Sequence, residues 1–159
     1  MAHTSQFCTF YLDNLLFGVD LQEVQEVIRN LEMTQVPLAP AVVRGLINLR
    51  GQIVPAIDLR RLLNLPPREG EHVRFSIVAR TQQGPVSLQV DEIGDVVDLG
   101  TAGFEAPPGN VAPAVRKLVR GVYRLQNRLL LVLDTSRATE IVPGSSASGK
   151  RSHDDAKIE

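Results

Sequence analysis

Tryptophan is absent from this chain, and aromatic residues as a whole make up only 4% of it. A surface that stacks on bases or sugars needs aromatic faces, so that class of function starts poorly supplied. An excess of one charge is missing too. Seventeen Lys and Arg stand against eighteen Asp and Glu, a net charge of −1, so the chain has no overall pull on nucleic acid or anionic lipid. The single cysteine, Cys8, excludes an internal disulfide and suits a reducing compartment. MAHTSQF lacks the basic and long apolar regions of a signal peptide, and no apolar run approaches membrane-spanning length. The expectation is a soluble cytoplasmic protein.

Catalytic patterns are equally scarce. Neither GxxxxGK[ST] nor GxGxxG occurs, no GxSxG elbow is present, and no His/Cys group has metal-ligand spacing. His3, His72 and His153 fall in the polar termini and a mid-chain loop, where solvated imidazoles are expected. Cys8 sits in an apolar strand pattern with no histidine at a telling position. Asp91, Glu92 and Asp95 read as a solvated edge rather than a carboxylate pair. No catalytic residue, metal or cofactor is expected, and the chain is read as a non-enzyme that works by binding.

Hydrophobic residues make up 43% of the 159, enough for a packed core in one domain, or in one domain built from two small halves. FCTFYL and LLFGVD form a hairpin about Asp13-Asn14, a dipeptide that tolerates positive φ. LQEVQEVIR follows, either a short amphipathic helix or an edge strand with a turn. A second hairpin pairs Val43–Leu49 with Gln52–Ile57. Asp58 then caps a short helix LRRLLN, with Arg60 and Arg61 on its wet face and Pro66-Pro67 as its stop. PPREGEH is the best internal boundary. RFSIVAR and PVSLQV make a further hairpin, DEIGDVV continues the pattern, and TAGFEAPPGNVAPAV reads as a long Pro/Gly loop. GVYRLQ and RLLLVLD make the last hairpin. The tail, residues 144–159, loses all periodicity and is expected to be disordered. Short strands at turn-separated intervals favour small β-barrels over an α/β sheet.

The chain also repeats itself. GLINLRGQIVPAIDLRR (45–61) lies on GVYRLQNRLLLVLDTSR (121–137) without a gap, matching Gly45 with Gly121, Gly51 with Asn127 and Asp58 with Asp134. Phe7 onward resembles Phe75 onward, and one residue of slippage places Val24 and Val27 on Ile93 and Val96. Two halves, roughly 7–66 and 74–137, would each be marginal alone and should share a core along one face. Arg50 breaks the repeat, since its counterpart is Gln126. The hairpin therefore folds without a cation there, and Arg50 is either a solvated turn residue or a bidentate contact for a partner's carboxylates. Val24, Glu26 and Val27 offer a mixed apolar and acidic edge, although the two valines have core spacing. Gly45 either relieves a bend or lets another backbone approach.

The order FxLxxxxFGVDLQEVQEV, VPLAPAVVRGLINLRGQIVPAIDLR, VSLQVDEIGDVVDL and GVYRLQNRLLLVLD resembles the CheW-like chemotaxis coupling (adaptor) proteins over residues 6–141. The segment with Gly45, Asn48 to Gly51, Val54-Pro55 and Asp58 to Arg60 is its most specific part. The resemblance implies a mainly β fold, with two SH3-like five-stranded β-barrels packed around a shared hydrophobic core and short helices. It implies an adaptor that links the cytoplasmic tip of methyl-accepting chemotaxis receptors to the regulatory domain of a CheA-type histidine kinase. Such an adaptor self-associates in rings and sits at the inner face of the membrane through receptor arrays. The arginine of the family's NLRG motif falls on Arg50, with a role in receptor coupling and kinase control. Positions for kinase or receptor contact fall on Val24, Glu26 and Gly45, and the apolar receptor groove falls more loosely on Ile93 and Val96, which the residues also allow as core. The Pro-rich loop of the second half departs from the pattern and leaves the pathway open: pilus motility, gliding or another output, with a scaffold that binds only one of the two partners. From a different class, a small nucleic-acid-binding barrel is disfavoured by charge and aromatic content.

Overall fold

The computed structural model describes residues 4–29, 32–70, 74–100 and 103–140. Eleven strands form in chain order: β1 (Thr4–Leu12), β2 (Leu15–Asp20), β3 (Val24–Arg29), β4 (Val43–Leu49), β5 (Gln52–Asp58), β6 (Phe75–Thr81), β7 (Gly84–Val90), β8 (Glu92–Gly100), β9 (Phe104–Glu105), β10 (Val119–Arg124) and β11 (Leu129–Leu133). Three short helices join them: α1 (Leu59–Leu62), α2 (Pro113–Leu118) and α3 (Thr135–Glu140). LQEVQEVIR resolves as a 3-10 turn at Leu21–Glu23 followed by the edge strand β3. The Pro/Gly loop contains β9 and runs into α2, an element the loop reading passed over, opened by Pro113 where a missing N–H costs nothing.

The strands make two sheets, β8-β1-β2-β11-β10-β9 and β3-β6-β7-β5-β4. The two sequence halves are therefore not the two barrels. The β1–β2 hairpin joins the C-terminal strands, the β6–β7 hairpin joins the N-terminal ones, and each inserts parallel to its new neighbour: β2 beside β11 and β7 beside β5. The exchange follows a pseudo-twofold. Gly18 pairs with Val132 as Ser87 pairs with Ala56, and Val96 pairs with Cys8 as Val27 pairs with Ile77. In this register Phe7 falls on Ser76, so the offset of the first strands is one residue larger than the Phe7/Phe75 match suggests, while Val24 and Val27 do fall on Ile93 and Val96. The caps repeat as well. Asp58 accepts from Arg61 N at 3.3 Å and Asp134 from Arg137 N at 3.2 Å. Arg44 reaches Asp58 at 3.4 Å, as Arg120 reaches Asp134 at 3.9 Å.

Apolar side chains sort into three clusters. Phe7, Leu16, Tyr123, Leu130 and Val132 belong to the first sheet alone, and Ile47, Leu49, Val54, Ala56 and Val78 to the second. The largest cluster draws on both, with Phe10 and Phe17 stacked at 5.4 Å between centroids and packed among Ile57, Ile77, Leu88 and Leu118. This is the shared core of two SH3-like barrels. A hairpin exchanged between halves buries apolar area that neither half of about 65 residues would cover alone.

Helix α1 ends earlier than the prolines require. Asn64 adopts φ 58°, Asn64 N donates to Arg61 O at 3.1 Å and Leu65 N to Arg60 O at 2.7 Å, a Schellman closure that stops the helix before Pro66. Leu38 also has a left-handed backbone, φ 67°, with its side chain fully exposed. Asparagine adopts that region more easily than leucine, and no burial offsets the strain. Leu38→Asn is expected to raise stability by about 0.5–1 kcal/mol, read as a higher urea midpoint at unchanged slope.

Candidate partner-binding surface

The β4–β5 hairpin turns through Arg50 (φ 52°) and Gly51 (φ 88°), both left-handed, which suits the twist of the flanking strands. Asn48 Oδ1 accepts from Gly51 N at 2.9 Å and fixes the turn. Neither Gln126 nor Asn127 has a positive φ at the matching hairpin, so the two turns differ in backbone as well as in charge. On β3, a bulge between Val24 and Glu26 shifts the register against β6 and turns Glu26 toward the hairpin. Arg50 Nη2 donates to Glu26 Oε2 there. Because β3 and β4 are the two edges of the second sheet, this ion pair crosses the seam where that barrel closes. The Arg50 side chain is still 68% exposed, and a guanidinium with five N–H donors keeps most of them for another partner.

The remaining expected site residues scatter. Val24 and Ile93 are partly buried against the shared core, which favours the core reading of their spacing. Gly45 is buried, and a Cβ there would lie 2.7 Å from Thr34 O, so another backbone does approach, from within the chain. Val96 is exposed, but on β8 of the other sheet, at the pseudo-equivalent of Val27. The structure thus brings Arg50 and Glu26 together and leaves Val96 on a related, separate face. Val27, with 42% exposure, fits the mixed-edge alternative rather than its core spacing, and Ile53, with 57%, is a surface residue that the sequence reading did not single out. Alternation along β5 carried the missing signal: Val54 and Ala56 point inward, so Ile53 points out.

Two further readings change. Arg60 is not on a wet face. Its side chain is 11% exposed, with Nη1 on Asp91 at 2.5 Å, Nη2 on Asp13 at 2.6 Å and Nε donating to Pro66 O at 2.8 Å. Asp91 is correspondingly no solvated edge residue, for it also accepts from Asp13 N at 2.9 Å. Arg61, 61% exposed, is on the wet face as expected. Cys8 is buried in β1, where desolvation pushes its thiol pKa up, the reverse of what a nucleophile needs. His3, His72, His153 and the tail lie outside the described residues. Among the described residues no cluster of metal-ligating side chains occurs, and no helix is long and apolar enough to cross a membrane.

Two exchanged barrels that share one core and carry a charged seam define a β scaffold whose distinguishing features lie on its surface. The chain belongs to the CheW-like domain family, whose model matches residues 6–141. It is 28% identical over 135 residues to the chemotaxis protein CheW of Treponema pallidum, covering 81% of this chain and 78% of that one. A shorter match, 34% over 59 residues and 37% of each chain, is to protein FrzA of Myxococcus xanthus. Among solved structures, the scaffolding protein TtCheW of Thermoanaerobacter tengcongensis superposes with a TM-score of 0.79 at 25% identity, covering 87% of this chain and 94% of that one.

Proposed function

We propose that this chain is a non-catalytic coupling scaffold of a bacterial chemosensory assembly, in which the Arg50–Glu26 seam and its surroundings engage one partner and the pseudo-equivalent face around Val96 engages another. The partners are those of the family resemblance: the cytoplasmic tip of a methyl-accepting chemotaxis receptor and the regulatory domain of a CheA-type histidine kinase. Further copies join in rings at the inner face of the membrane. The supporting observation is the asymmetry of two otherwise matched surfaces. The acidic residue at the bulge and the exposed valine recur, Glu26 as Asp95 and Val27 as Val96, but one face has a cation at the turn and exposed Ile53, whereas the other has Gln126 at the turn and half-buried Leu129. Two related but unlike faces let one small domain bind two different partners, and several modest contacts then add through array geometry.

The test is Arg50→Glu in a reconstituted mixture of receptor, kinase and this protein. The exposed ion pair is worth at most about 1 kcal/mol, so the variant is expected to fold normally. Opposed carboxylates at the seam should lower receptor-coupled kinase activity at least about tenfold, the loss of one charge-assisted contact. Normal coupling by a folded variant would remove Arg50 from the surface. The alternative reading is a pathway-specific scaffold that holds only one of the two partners. Separate pull-downs with receptor tip and with kinase regulatory domain distinguish the two.

A further inference from the structure

Positive charge, nearly balanced over the chain as a whole, collects in one concavity of about 1100 Å³ between α1, the chain that follows it, and β4. Among the described residues, Arg44, Arg60, Arg61, Arg68 and Arg74 line it, with Asp58 and Asp91 as the carboxylates. Part of this set serves the fold, because the contacts of Arg44 and Arg61 with Asp58 recur at Arg120, Arg137 and Asp134. The rest has no counterpart: Arg60 corresponds to Ser136, and Arg68 and Arg74 lie outside the matched segments.

Neither carboxylate saturates Arg61 or Arg68. Asp91 is taken at short range by Arg60, leaving Arg68 at 3.8 Å, and Arg61 is likewise 3.8 Å from Asp58. Both distances are long for a charge-assisted hydrogen bond of about 2.7–2.9 Å, so both forks keep N–H groups to offer. The buried Arg60 guanidinium anchors the floor. Beside it Gln89, 8% exposed, donates its amide N–H groups to Met33 Sδ at 3.4 Å, an ordinary length for sulfur, and to Ser76 Oγ at 3.5 Å. Pro66, Pro67 and Leu65 supply an apolar rim.

We infer that this concavity binds the phosphate groups of a phosphorylated small molecule. Guanidinium forks arriving from α1 and from the chain after it suit a tetrahedral group with several charged oxygens, where a flat carboxylate would occupy only one fork. The volume, at the upper end of ligand pockets, leaves room for a nucleotide-sized body against the apolar rim.

Titration calorimetry on the full chain with pyrophosphate, adenosine triphosphate and citrate tests this. Pyrophosphate and the nucleotide are expected to bind saturably at sub-millimolar concentration in low salt, and more weakly as salt rises. Arg61→Gln/Arg68→Gln is expected to weaken both at least about tenfold, and Arg68→Gln alone to do so in part, with thermal unfolding confirming that each variant is folded. No saturable binding of either phosphate compound, binding undiminished in the folded double variant, or citrate binding as tightly as pyrophosphate would each overturn the assignment.

Discussion

Arg60→Met is expected to cost about 3–5 kcal/mol of stability, the usual penalty for removing one member of a buried charge cluster. Methionine keeps most of the apolar stem, so the loss is chiefly electrostatic. Asp91, at 12% side-chain exposure, loses its short-range cation and is left with Arg68 at 3.8 Å and Asp13 N at 2.9 Å, while the more exposed Asp13 carboxylate and Pro66 carbonyl exchange a guanidinium for water. They come from different parts of the fold. Asp13 belongs to the hairpin that crosses into the other sheet, Asp91 to the link from β7 to β8, and Arg60 to α1 behind β5. The cluster therefore pins the exchanged hairpin to the barrel it left. Urea unfolding at neutral pH measures the loss, and the melting temperature should fall by on the order of 10 °C. Arg61→Met, one residue away and 61% exposed, should change stability by less than about 0.5 kcal/mol. Adding Asp91→Asn to Arg60→Met should recover part of the loss, because it removes the stranded charge. Equal, small effects at Arg60 and Arg61 would contradict the clamp.

The repeat sets Arg60 on Ser136 and Arg61 on Arg137, but nothing in the sequence says which of the two is buried, and that marks where sequence reasoning reaches its end. The cues that were legible are local. Asp58 and Asp134 act as caps, Asp13 takes the positive φ its turn was expected to need, and the hairpins around Gly51 and Asn127 form between the strands read for them. The repeat was legible too, because each copy must fill the same strand positions. Which copy of a hairpin inserts into which sheet is set by burial summed over both halves, and no dipeptide records it. Asp91 looked solvated because its partners stand 31 and 78 positions away. Helix α2 was hidden by its proline-rich approach, although Val115 and Leu118 carry the i, i+3 spacing of a buried face. The candidate surface was half legible. The broken repeat singled out Arg50, but Glu26 as its companion depends on a bulge and on barrel closure, which are properties of the folded sheet.

Gly45→Ala is expected to destabilise the protein by about 1–3 kcal/mol, as overpacking does, and Gly121→Ala by a similar amount. A Cβ at Gly45 would lie 2.7 Å from Thr34 O, and Thr34 exchanges two 2.8 Å hydrogen bonds with Leu46, so its backbone cannot retreat without losing them. At Gly121 a Cβ would lie 2.8 Å from Glu105 O of β9, the strand that crosses the other barrel at the same place. The glycines repeat because a crossing segment repeats. This bears on the role of Gly45 in partner contact. A residue covered by Thr34 reaches a partner only through that segment, which leads on to the exposed Val36 and Leu38. Coupling by Gly45→Ala should then follow the folded fraction and return on cooling, and Gly121→Ala should behave alike. If Gly45→Ala remains uncoupled at a temperature where it is fully folded, while Gly121→Ala couples normally, the segment over Gly45 is itself a contact surface and the defect is one of shape at the partner interface.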